Sequence, residues 1–128
     1  MQDFRKLLVW QKGHQLNLRL YEATSAFPKS ELFGLTSQMR RAATSITANL
    51  AEGCGRGTDA DFARFVQIAM GSACELESHL ELVKDLKLIS GENHRVIQGR
   101  LIEIKRMLSG LLVKLSARRP SLMLKAES

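Results

Sequence analysis

The sequence predicts an all-α fold, an up-down-up-down antiparallel four-helix bundle. Apolar residues recur at spacings of three and four in four successive segments, and the connections between the segments are short. Only two prolines occur among the 128 residues, and no segment carries a strand pattern. We expect one domain with helices at about 8–26, 31–54, 58–89 and 92–117, followed by a tail at 118–128.

The first predicted helix is marked by six residues on one helical face, separated by four, three, four, three and four positions. They are Val9, Gly13, Leu16, Leu20, Ala23 and Phe27. Pro28 ends this helix, because the residue before a proline is pushed out of helical geometry.

The second predicted helix carries two stripes. Ser30 can cap its start, and Glu31 is favourable in its first turn. The apolar stripe consists of Leu35, Met39, Ala42, Ile46, Leu50 and Gly53. The polar stripe beside it consists of Gln38, Arg41, Ser45, Asn49 and Glu52. Three glycines between positions 53 and 57 can supply the positive φ with which helices often end.

The third and fourth predicted helices form a hairpin with a long apolar seam. Thr58 and Asp61 resemble a capping box at the start of the third helix. Its apolar positions are Phe62, Val66, Ala69, Ala73, Leu76, Leu80 and Val83. Ser90 and Gly91 break the pattern. The fourth helix then repeats it at Ile97, Leu101, Ile104, Leu108, Leu111 and Leu115, and Pro120 marks its end.

The net charge of +6 is concentrated at the carboxyl end. Residues 1–94 carry eleven basic and eleven acidic side chains, whereas residues 95–128 carry eight basic and two acidic ones. We expect acidic residues in the second half of helix three to neutralise partly the positive charges of Arg95, Arg100 and Lys105. Arg118, Arg119 and Lys125 lie too far along the chain to meet those acidic residues, and we expect their charges to stay available to a binding partner. Such asymmetry favours an acidic partner, either nucleic acid or protein.

The basic residues include six candidates for nucleic-acid contact, which are Arg40, Arg56, Arg106, Lys114, Arg118 and Arg119. The polar stripe has three interpretations, which the sequence leaves open. It can be a hydrogen-bonded network between helices or subunits, a surface that contacts RNA through Arg40, Arg41 or Arg56, or a solvated surface. Aromatic residues fall on or beside apolar faces, so any nucleic acid should be bound through its phosphates.

No pattern of catalytic or metal-binding residues occurs. A carboxylate-bridged metal site in a bundle needs Glu three residues before His, but Leu76 precedes His79 and Gly91 precedes His94 at that spacing. The glycine-rich run at 53–57 lacks the order of a phosphate-binding loop. The two cysteines form no CxxC pair, and we expect them to be reduced and inert. We therefore expect a non-enzyme with no cofactor and no small-molecule substrate.

The amino-terminal residues lack the layout of a secretory signal. No apolar run approaches the ~18 residues that a membrane-spanning helix needs. These patterns predict a cytoplasmic protein without a membrane partner.

Three segments together resemble a known family. FRKLLVWQKGHQL, FPKSELFGLTSQMRRAATSITANLAEGCGR and FARFVQIAMGSACELESHLEL are similar to bacterial four-helix-bundle proteins encoded in intervening sequences of 23S ribosomal RNA, some of them labelled ribosomal proteins. The similarity covers about residues 4–115. The matching positions are Gln38, Arg40, Arg41, Ala42, Ser45, Ile46, Asn49, Ala51, Glu52, Gly53, Arg56, Phe65, Ala69, Gly71, Ser72, Glu75 and Leu76. Two positions depart from the family pattern, Gly13 and Cys54.

The resemblance implies a bundle that assembles into a ring, a homopentamer. The chain is also similar to the accessory subunit of diversity-generating retroelements, a basic pentameric bundle that binds reverse transcriptase and nucleic acid. Charge and resemblance together favour a homo-oligomeric adaptor that binds rRNA, other nucleic acid or a ribonucleoprotein. The alternative is a protein–protein scaffold module with no nucleic-acid role.

Overall fold

The computed structural model describes residues 3–118, and the long elements in this range are four α-helices. Helix α1 spans Leu8–Thr24, α2 spans Ser37–Arg56, α3 spans Asp59–Asp85 and α4 spans Gly91–Ala117. Two short 3-10 helices, Phe4–Lys6 and Lys29–Glu31, precede α1 and α2. No β-strand occurs in the described part of the chain, so the predicted all-α class is confirmed.

Contacts between facing residues show that neighbouring helices run antiparallel and that α1 closes the bundle against α4. Gly53, at the end of α2, lies against Phe62 at the start of α3. Along the α1–α4 contact, Arg19 of α1 donates to Asn93 near the start of α4. The chain thus goes up, down, up and down, as the short connections predict. The most extensive packing joins α2 and α3.

The core is formed by the predicted apolar stripes. The largest side chains that are completely or almost completely buried are Leu16, Leu20, Met39, Ile46, Leu50, Leu76, Leu80, Ile97, Leu101, Ile104, Leu108 and Leu115. Leu35 and Leu111 lie at the edge and are only partly buried. Phe27 packs in the core although α1 ends three residues before it, so the apolar pattern extends one turn past the helix.

The start of α2 differs from the prediction of a helix from residue 31. Residues Leu32–Thr36 form a single π-helical turn, and the backbone leaves helical geometry at Gly34, with φ −107° and ψ −111°. Ser30 lies inside the preceding 3-10 helix and caps nothing. A glycine without a side chain accommodates this kink, and regular helix resumes only at Ser37.

The other helix ends follow the expected chemistry with small shifts. Gly57 has φ +89° and ends α2, as the glycine run predicts. The Thr58 hydroxyl accepts a 3.2 Å hydrogen bond from the Asp61 amide at the start of α3. Helix α3 ends at Asp85 instead of residue 89, since Lys87 adopts φ +60° and cannot continue it. Ser90 caps α4 through the Asn93 amide.

Two glycines set how closely helices approach. A Cβ on Gly53 would lie 2.9 Å from Phe62 Cδ1 and 2.9 Å from Phe65 Cβ, so α2 and α3 can pack this tightly only because no side chain is present. A Cβ on Gly13 would lie 2.9 Å from Thr47 Cγ2, which makes the α1–α2 contact similarly close.

Among residues 3–118, no helix has the length and apolar character needed to cross a bilayer.

Candidate functional site

An open groove of about 580 Å³ runs between α2 and α3, and three residues of the polar stripe, Gln38, Arg41 and Ser45, lie on one of its walls. From α2 it is lined by Gln38, Arg41, Ala42, Thr44, Ser45 and Ala48, and from α3 by Ser72 and Glu75. The groove is open because Ala42, Ser45, Ala48 and Ser72 are all small. The groove is therefore polar, with the charged residues Arg41 and Glu75 among those that line it.

The floor of the groove is a short hydrogen-bond network that joins the two helices. The hydroxyls of Ser45 and Ser72 lie 2.8 Å apart. The Asn49 amide donates to the Ser45 hydroxyl at 3.0 Å and to the Ser45 carbonyl at 2.8 Å. These contacts satisfy partly buried polar groups within one chain. Two residues of the polar stripe, Ser45 and Asn49, are thus bound to their neighbours inside the monomer.

The remaining members of the polar stripe face solvent. Glu52 accepts a 3.0 Å hydrogen bond from Arg56, one turn later on the same helix. Gln38 and Arg41 are exposed, and neither side chain makes a hydrogen bond or ion pair within residues 3–118. Ser45 and Asn49 of the polar stripe are therefore bonded within the bundle, whereas Gln38 and Arg41 are available to a partner.

The α3 wall of the groove was missed by reasoning from periodicity. Ser72 and Glu75 belong to a helix whose apolar pattern drew attention only to its buried face. A signal for them did exist, because both positions match the family pattern that the sequence resembles. Their pairing with α2 follows from the antiparallel packing.

Arg40 is occupied by contacts within the chain. Its Nε donates to the Thr24 hydroxyl at 2.9 Å and its Nη2 donates to the Tyr21 carbonyl at 3.3 Å, while the guanidinium lies 4.4 Å from the centre of the Tyr21 ring. A cation near the last carbonyls of a helix is favourable. Arg40 therefore ties α2 to the end of α1, and its contact with nucleic acid remains a prediction.

Arg56 is more exposed but also has local partners. Besides the ion pair with Glu52, its guanidinium lies 5.1 Å from the centre of the Phe65 ring. Exposed pairs of this kind are easily exchanged for other partners. Arg56 stays a candidate contact at the end of α2.

The basic residues of α4 divide into paired and unpaired ones. Lys105 Nζ lies 2.7 Å from Glu77 Oε1, and this hydrogen bond raises the pKa of Lys105. Four further cations are exposed and have no ion-pair partner within residues 3–118. They are Arg95, Arg100, Arg106 and Lys114.

Two expectations about these charges need correction. Of the three cations expected to be partly neutralised by α3, Lys105 is paired, whereas Arg95 and Arg100 are exposed and have no ion-pair partner within residues 3–118. Arg118, which was expected to lie beyond the reach of an acidic partner, has its Nε 3.6 Å from Asp59 Oδ2, but its side chain is still about half exposed, so its contact with nucleic acid stays a prediction. The antiparallel packing brings the end of α4 to the acidic first turn of α3. Arg119, Lys125 and the rest of the predicted tail after Arg118 lie outside the described residues.

The histidines are scattered over the bundle. The ring of His14 stacks on Trp10 at 5.0 Å, and His79 Nε2 lies 3.4 Å from Glu75 Oε2. His94 is buried with Nε2 3.7 Å from Glu81, which is beyond hydrogen-bond distance. Within residues 3–118, no three potential metal ligands come together.

The two cysteines differ in environment. Cys74 is exposed, whereas Cys54 is buried beside the end of α2. Burial, and secondarily the negative charge of Asp3, raise the pKa of the Cys54 thiol. Because the thiolate is the nucleophile, this environment works against reactivity at Cys54.

The comparisons with known proteins agree with this architecture. The profile of the family described as 23S rRNA-intervening sequence protein matches residues 5–110. A crystal structure of a protein with unknown function from the S23 ribosomal protein family of Bacteroides thetaiotaomicron VPI-5482 is 28% identical, with a TM-score of 0.73. The match covers 81% of this chain and 97% of that one. A comparison with curated proteins gave no match.

Proposed function

The chain belongs to the 23S rRNA-intervening sequence protein family, and on that premise we propose that it is a non-enzymatic, homo-oligomeric adaptor that binds RNA through the basic surface of α4. The observation that carries this proposal is the set of four exposed cations on α4 that have no ion-pair partner in the described part of the chain. A cation without a partner in the monomer can neutralise a phosphate without first breaking an internal contact.

The side of α4 that faces α1 is the best-supported contact surface. Glu103 marks this side through its 3.1 Å ion pair with Lys12 of α1. Arg100 and Lys114 lie three and eleven residues from Glu103, which places them on the same side of the helix. Along the axis they are roughly 21 Å apart, from a rise of about 1.5 Å per residue. Two charges at this separation suit two phosphates of a structured RNA.

Recognition of bases is not part of the proposal, since the described aromatic rings offer little stacking surface beside these cations. The Trp10 ring already stacks on His14 and meets Phe4 edge-on at 4.9 Å. Tyr21 lies under the Arg40 guanidinium. Binding through phosphates should therefore depend strongly on salt and only weakly on RNA sequence.

Self-association would multiply the charge of the surface. The family resemblance implies a homopentameric ring, and ring symmetry would present each α4 surface several times to one RNA. The exposed half of the polar stripe, with Arg41 and Gln38, supports a role for the α2–α3 groove as subunit contact.

The test is a titration of a structured rRNA fragment against the purified protein at several salt concentrations. The variant is Arg100→Ala with Lys114→Ala, and the matched control is Lys6→Ala with Lys84→Ala, which removes the same charge from exposed positions on other elements. We expect the α4 variant to lose about one unit of salt slope for each phosphate contact removed and at least tenfold in affinity. The control should lose much less.

An affinity that does not change with salt, or an α4 variant that binds like the control, would overturn binding by α4. No binding at about 50 mM salt would overturn RNA binding altogether.

A protein scaffold is the second candidate, and exposed apolar side chains at the α1–α2 corner favour it. Phe33 is 93% exposed, which is unusual for a large aromatic residue. Co-purification from cells before and after nuclease treatment separates the two functions. Protein partners that remain after the RNA is destroyed support the scaffold, and partners lost together with RNA support the adaptor.

A further inference from the structure

A pocket opens at the corner between α1 and α2, and its wall is both basic and aromatic. It has a volume of about 320 Å³, and the residues that line it include Tyr21, Leu32, Phe33, Thr36, Arg40 and Arg41. We name it the corner pocket. None of the described residues that line it is acidic, and the nearby Glu31 carboxylate lies beside Gly34 instead, 3.6 Å from the position that a Cβ there would occupy. The corner pocket therefore favours an anion.

Phe33 brings a flat apolar surface to the corner pocket. It is 93% exposed, and within residues 3–118 no other aromatic ring and no guanidinium packs against it. The break of helical geometry at the next residue, Gly34, separates it from the regular turns of α2. A ring whose face lies in water is a surface on which another flat group can stack.

Arg40 is fixed in the wall of the corner pocket and still has donors to offer. Its Nε and Nη2 are engaged by the Thr24 hydroxyl and the Tyr21 carbonyl, and its guanidinium lies over the Tyr21 ring. Its Nη1 makes no hydrogen bond in the described part of the chain, and no carboxylate there pairs with it. A guanidinium that is already held loses little freedom when it binds an anion. Arg40 is thus a preorganised donor for a phosphate.

Thr36 adds a polar group without a partner to the same wall. It is only 2% exposed, and its hydroxyl makes no hydrogen bond within residues 3–118. Buried hydroxyls are normally hydrogen-bonded, because an unpaired one is costly. Such a wall is typical of a pocket that a polar ligand completes.

We propose that the corner pocket binds one unpaired nucleotide of the RNA, with its base stacked on Phe33 and its phosphate hydrogen-bonded to Arg40. The proposal rests on the RNA binding in the proposed function and adds a contact on the α1–α2 side of the bundle. A nucleotide combines the flat group that suits the Phe33 ring with the anion that suits the Arg40 guanidinium. A volume of about 320 Å³ lies at the lower end for ligand pockets, which suits a single nucleotide.

The corner pocket would give the protein a preference for RNA structure. Stacking on one ring tolerates any base, so the dependence on RNA sequence stays weak. A base inside a duplex is already stacked and paired, however, and only an unpaired base can turn into a pocket. The cations of α4 then account for the dependence on salt, and the corner pocket accounts for a preference for unpaired nucleotides.

The test compares two end-labelled RNA hairpins whose sequences differ by one nucleotide. The stem of the first is fully paired, and the stem of the second carries a single bulged adenosine. Fluorescence anisotropy measures the affinity of the protein for each hairpin. We expect the bulged hairpin to bind at least about fivefold more tightly, the lower end of what stacking of one base on an aromatic side chain contributes.

Variants of Phe33 show whether this difference comes from the corner pocket. Phe33→Ala should bind the two hairpins equally, whereas Phe33→Trp keeps a flat ring and should keep the difference. Leu82→Ala is the matched control, because it truncates another exposed apolar side chain, on α3, and should also keep the difference. Circular dichroism on each variant shows that the bundle is folded.

Arg40→Lys tests the phosphate contact. Lysine keeps the positive charge but loses the planar set of donors, so the difference between the hairpins should shrink by about fivefold. Arg64→Lys is the matched control, since Arg64 is an exposed arginine whose guanidinium lies 4.5 Å from the centre of the Phe65 ring. Arg41 is unsuitable for this test because it also lines the polar groove. An unchanged difference in Arg40→Lys would overturn the contact of Arg40 with phosphate.

A free nucleotide presents the same chemistry as an unpaired nucleotide of RNA, so adenosine monophosphate forms a second arm. Saturation-transfer NMR should show transfer to its base protons from the wild-type protein and none from Phe33→Ala. If this holds while the two hairpins bind equally, the ligand is a free nucleotide, and the corner pocket keeps its ligand class.

Equal binding of the two hairpins together with no transfer to adenosine monophosphate would overturn the proposal. A difference between the hairpins that survives Phe33→Ala would do the same. Loss of nuclease-resistant protein partners in Phe33→Ala, with the hairpin difference unchanged, would assign Phe33 to the scaffold function instead.

The outcome is separable from that of the salt titration. The Arg100→Ala, Lys114→Ala variant should weaken binding of both hairpins and keep the ratio of their affinities. Equal, salt-dependent binding of both hairpins would retain the adaptor function and remove the nucleotide of RNA from the corner pocket. If neither hairpin binds at about 50 mM salt, the adaptor function fails, and the adenosine monophosphate arm decides on the pocket by itself.

Discussion

At the scale of single residues, three cations show that a positive charge in the sequence is not the same as an available charge. Arg40 is held by the last turn of α1 and Lys105 by Glu77, whereas Arg118 forms a longer and more exposed ion pair with Asp59. Each pair connects elements that are distant in sequence, so no local pattern could reveal it. The basic residues that remain without a partner on α4 are therefore the informative ones.

The pair between Lys105 and Glu77 predicts a pH dependence of stability. The hydrogen bond from Glu77 raises the pKa of Lys105 above its ordinary value of 10.5. The folded state therefore keeps this proton to a higher pH than the unfolded state does. The resulting stabilisation is fully present below pH 10.5 and is lost as the pH rises through the raised pKa.

We expect Glu77→Gln to lower the unfolding free energy by about 0.5–1 kcal/mol at pH 8, since both side chains are about one-third exposed. The difference from the wild type should vanish at strongly alkaline pH. Denaturant unfolding at a series of pH values measures it. Glu92→Gln, at an exposed position without an ion pair in the described residues, serves as control and should show no such trend.

At the scale of elements, the bundle depends on one very close helix contact. Small residues along α2 and α3 allow the two backbones to approach, and Gly53 lies where the approach is tightest. Its neighbours there, Phe62 and Phe65, supply the large side chains that fill the space. The glycine is thus required by packing, although glycine in a helix otherwise lowers stability.

Gly53→Ala should destabilise the protein by about 1–3 kcal/mol, because the new methyl group would overlap Phe62 and Phe65 by more than side-chain movement can relieve. Gly110→Ala is the matched control. It lies in the interior of α4 with no atom near its Cβ position, so the substitution should stabilise by about 0.5–1 kcal/mol. Thermal unfolding of both variants measures the contrast. Equal effects of the two substitutions would contradict the close contact.

At the scale of the whole molecule, the four helices present different surfaces to solvent. The α2–α3 side offers a polar groove with Arg41 at its rim, and the α3–α4 side offers an apolar groove with Arg106 at its rim. The α1–α4 side carries Arg100 and Lys114. The described part of the chain thus presents three chemically distinct sides.

Arg41→Ala tests whether the polar groove joins subunits. Arg41 makes no polar contact inside the described chain, so its removal should change the stability of the monomer by less than about 0.5 kcal/mol. If the groove is a subunit contact, the same variant should lower the mass measured by light scattering. Arg95→Ala, an exposed cation on α4, is the control. A less stable monomer with unchanged mass would instead assign Arg41 to the internal network.

The sequence predicted the fold closely because helix packing follows from a local property. Stripes such as Leu76–Leu80–Val83 in α3 repeat at the period of the helix, and burial of these stripes leaves few arrangements for four rods joined by short turns. Boundaries were less predictable. The kink at Gly34 interrupts a pattern that reads as continuous helix, and the turn at Lys87 ends α3 before its apolar residues end.

The candidate site was only half visible in the sequence. The polar stripe of α2 could be predicted, since its members share one helical face. Its partners Ser72 and Glu75, and the pairing of Arg118 with Asp59, could not be derived from spacing. Those contacts depend on which helices are neighbours and on the axial offset between each pair of neighbouring helices.

The sequence alone therefore determined the all-helical class, the number of helices, the core residues and the concentration of positive charge toward the carboxyl end. These are properties of short segments, and the period of the helix makes them readable. Only the tertiary structure decided which of those charges stay unpaired, where grooves open between helices and that Phe33 is left outside the core. Such features depend on distances between residues far apart in the chain, which packing of the whole bundle sets.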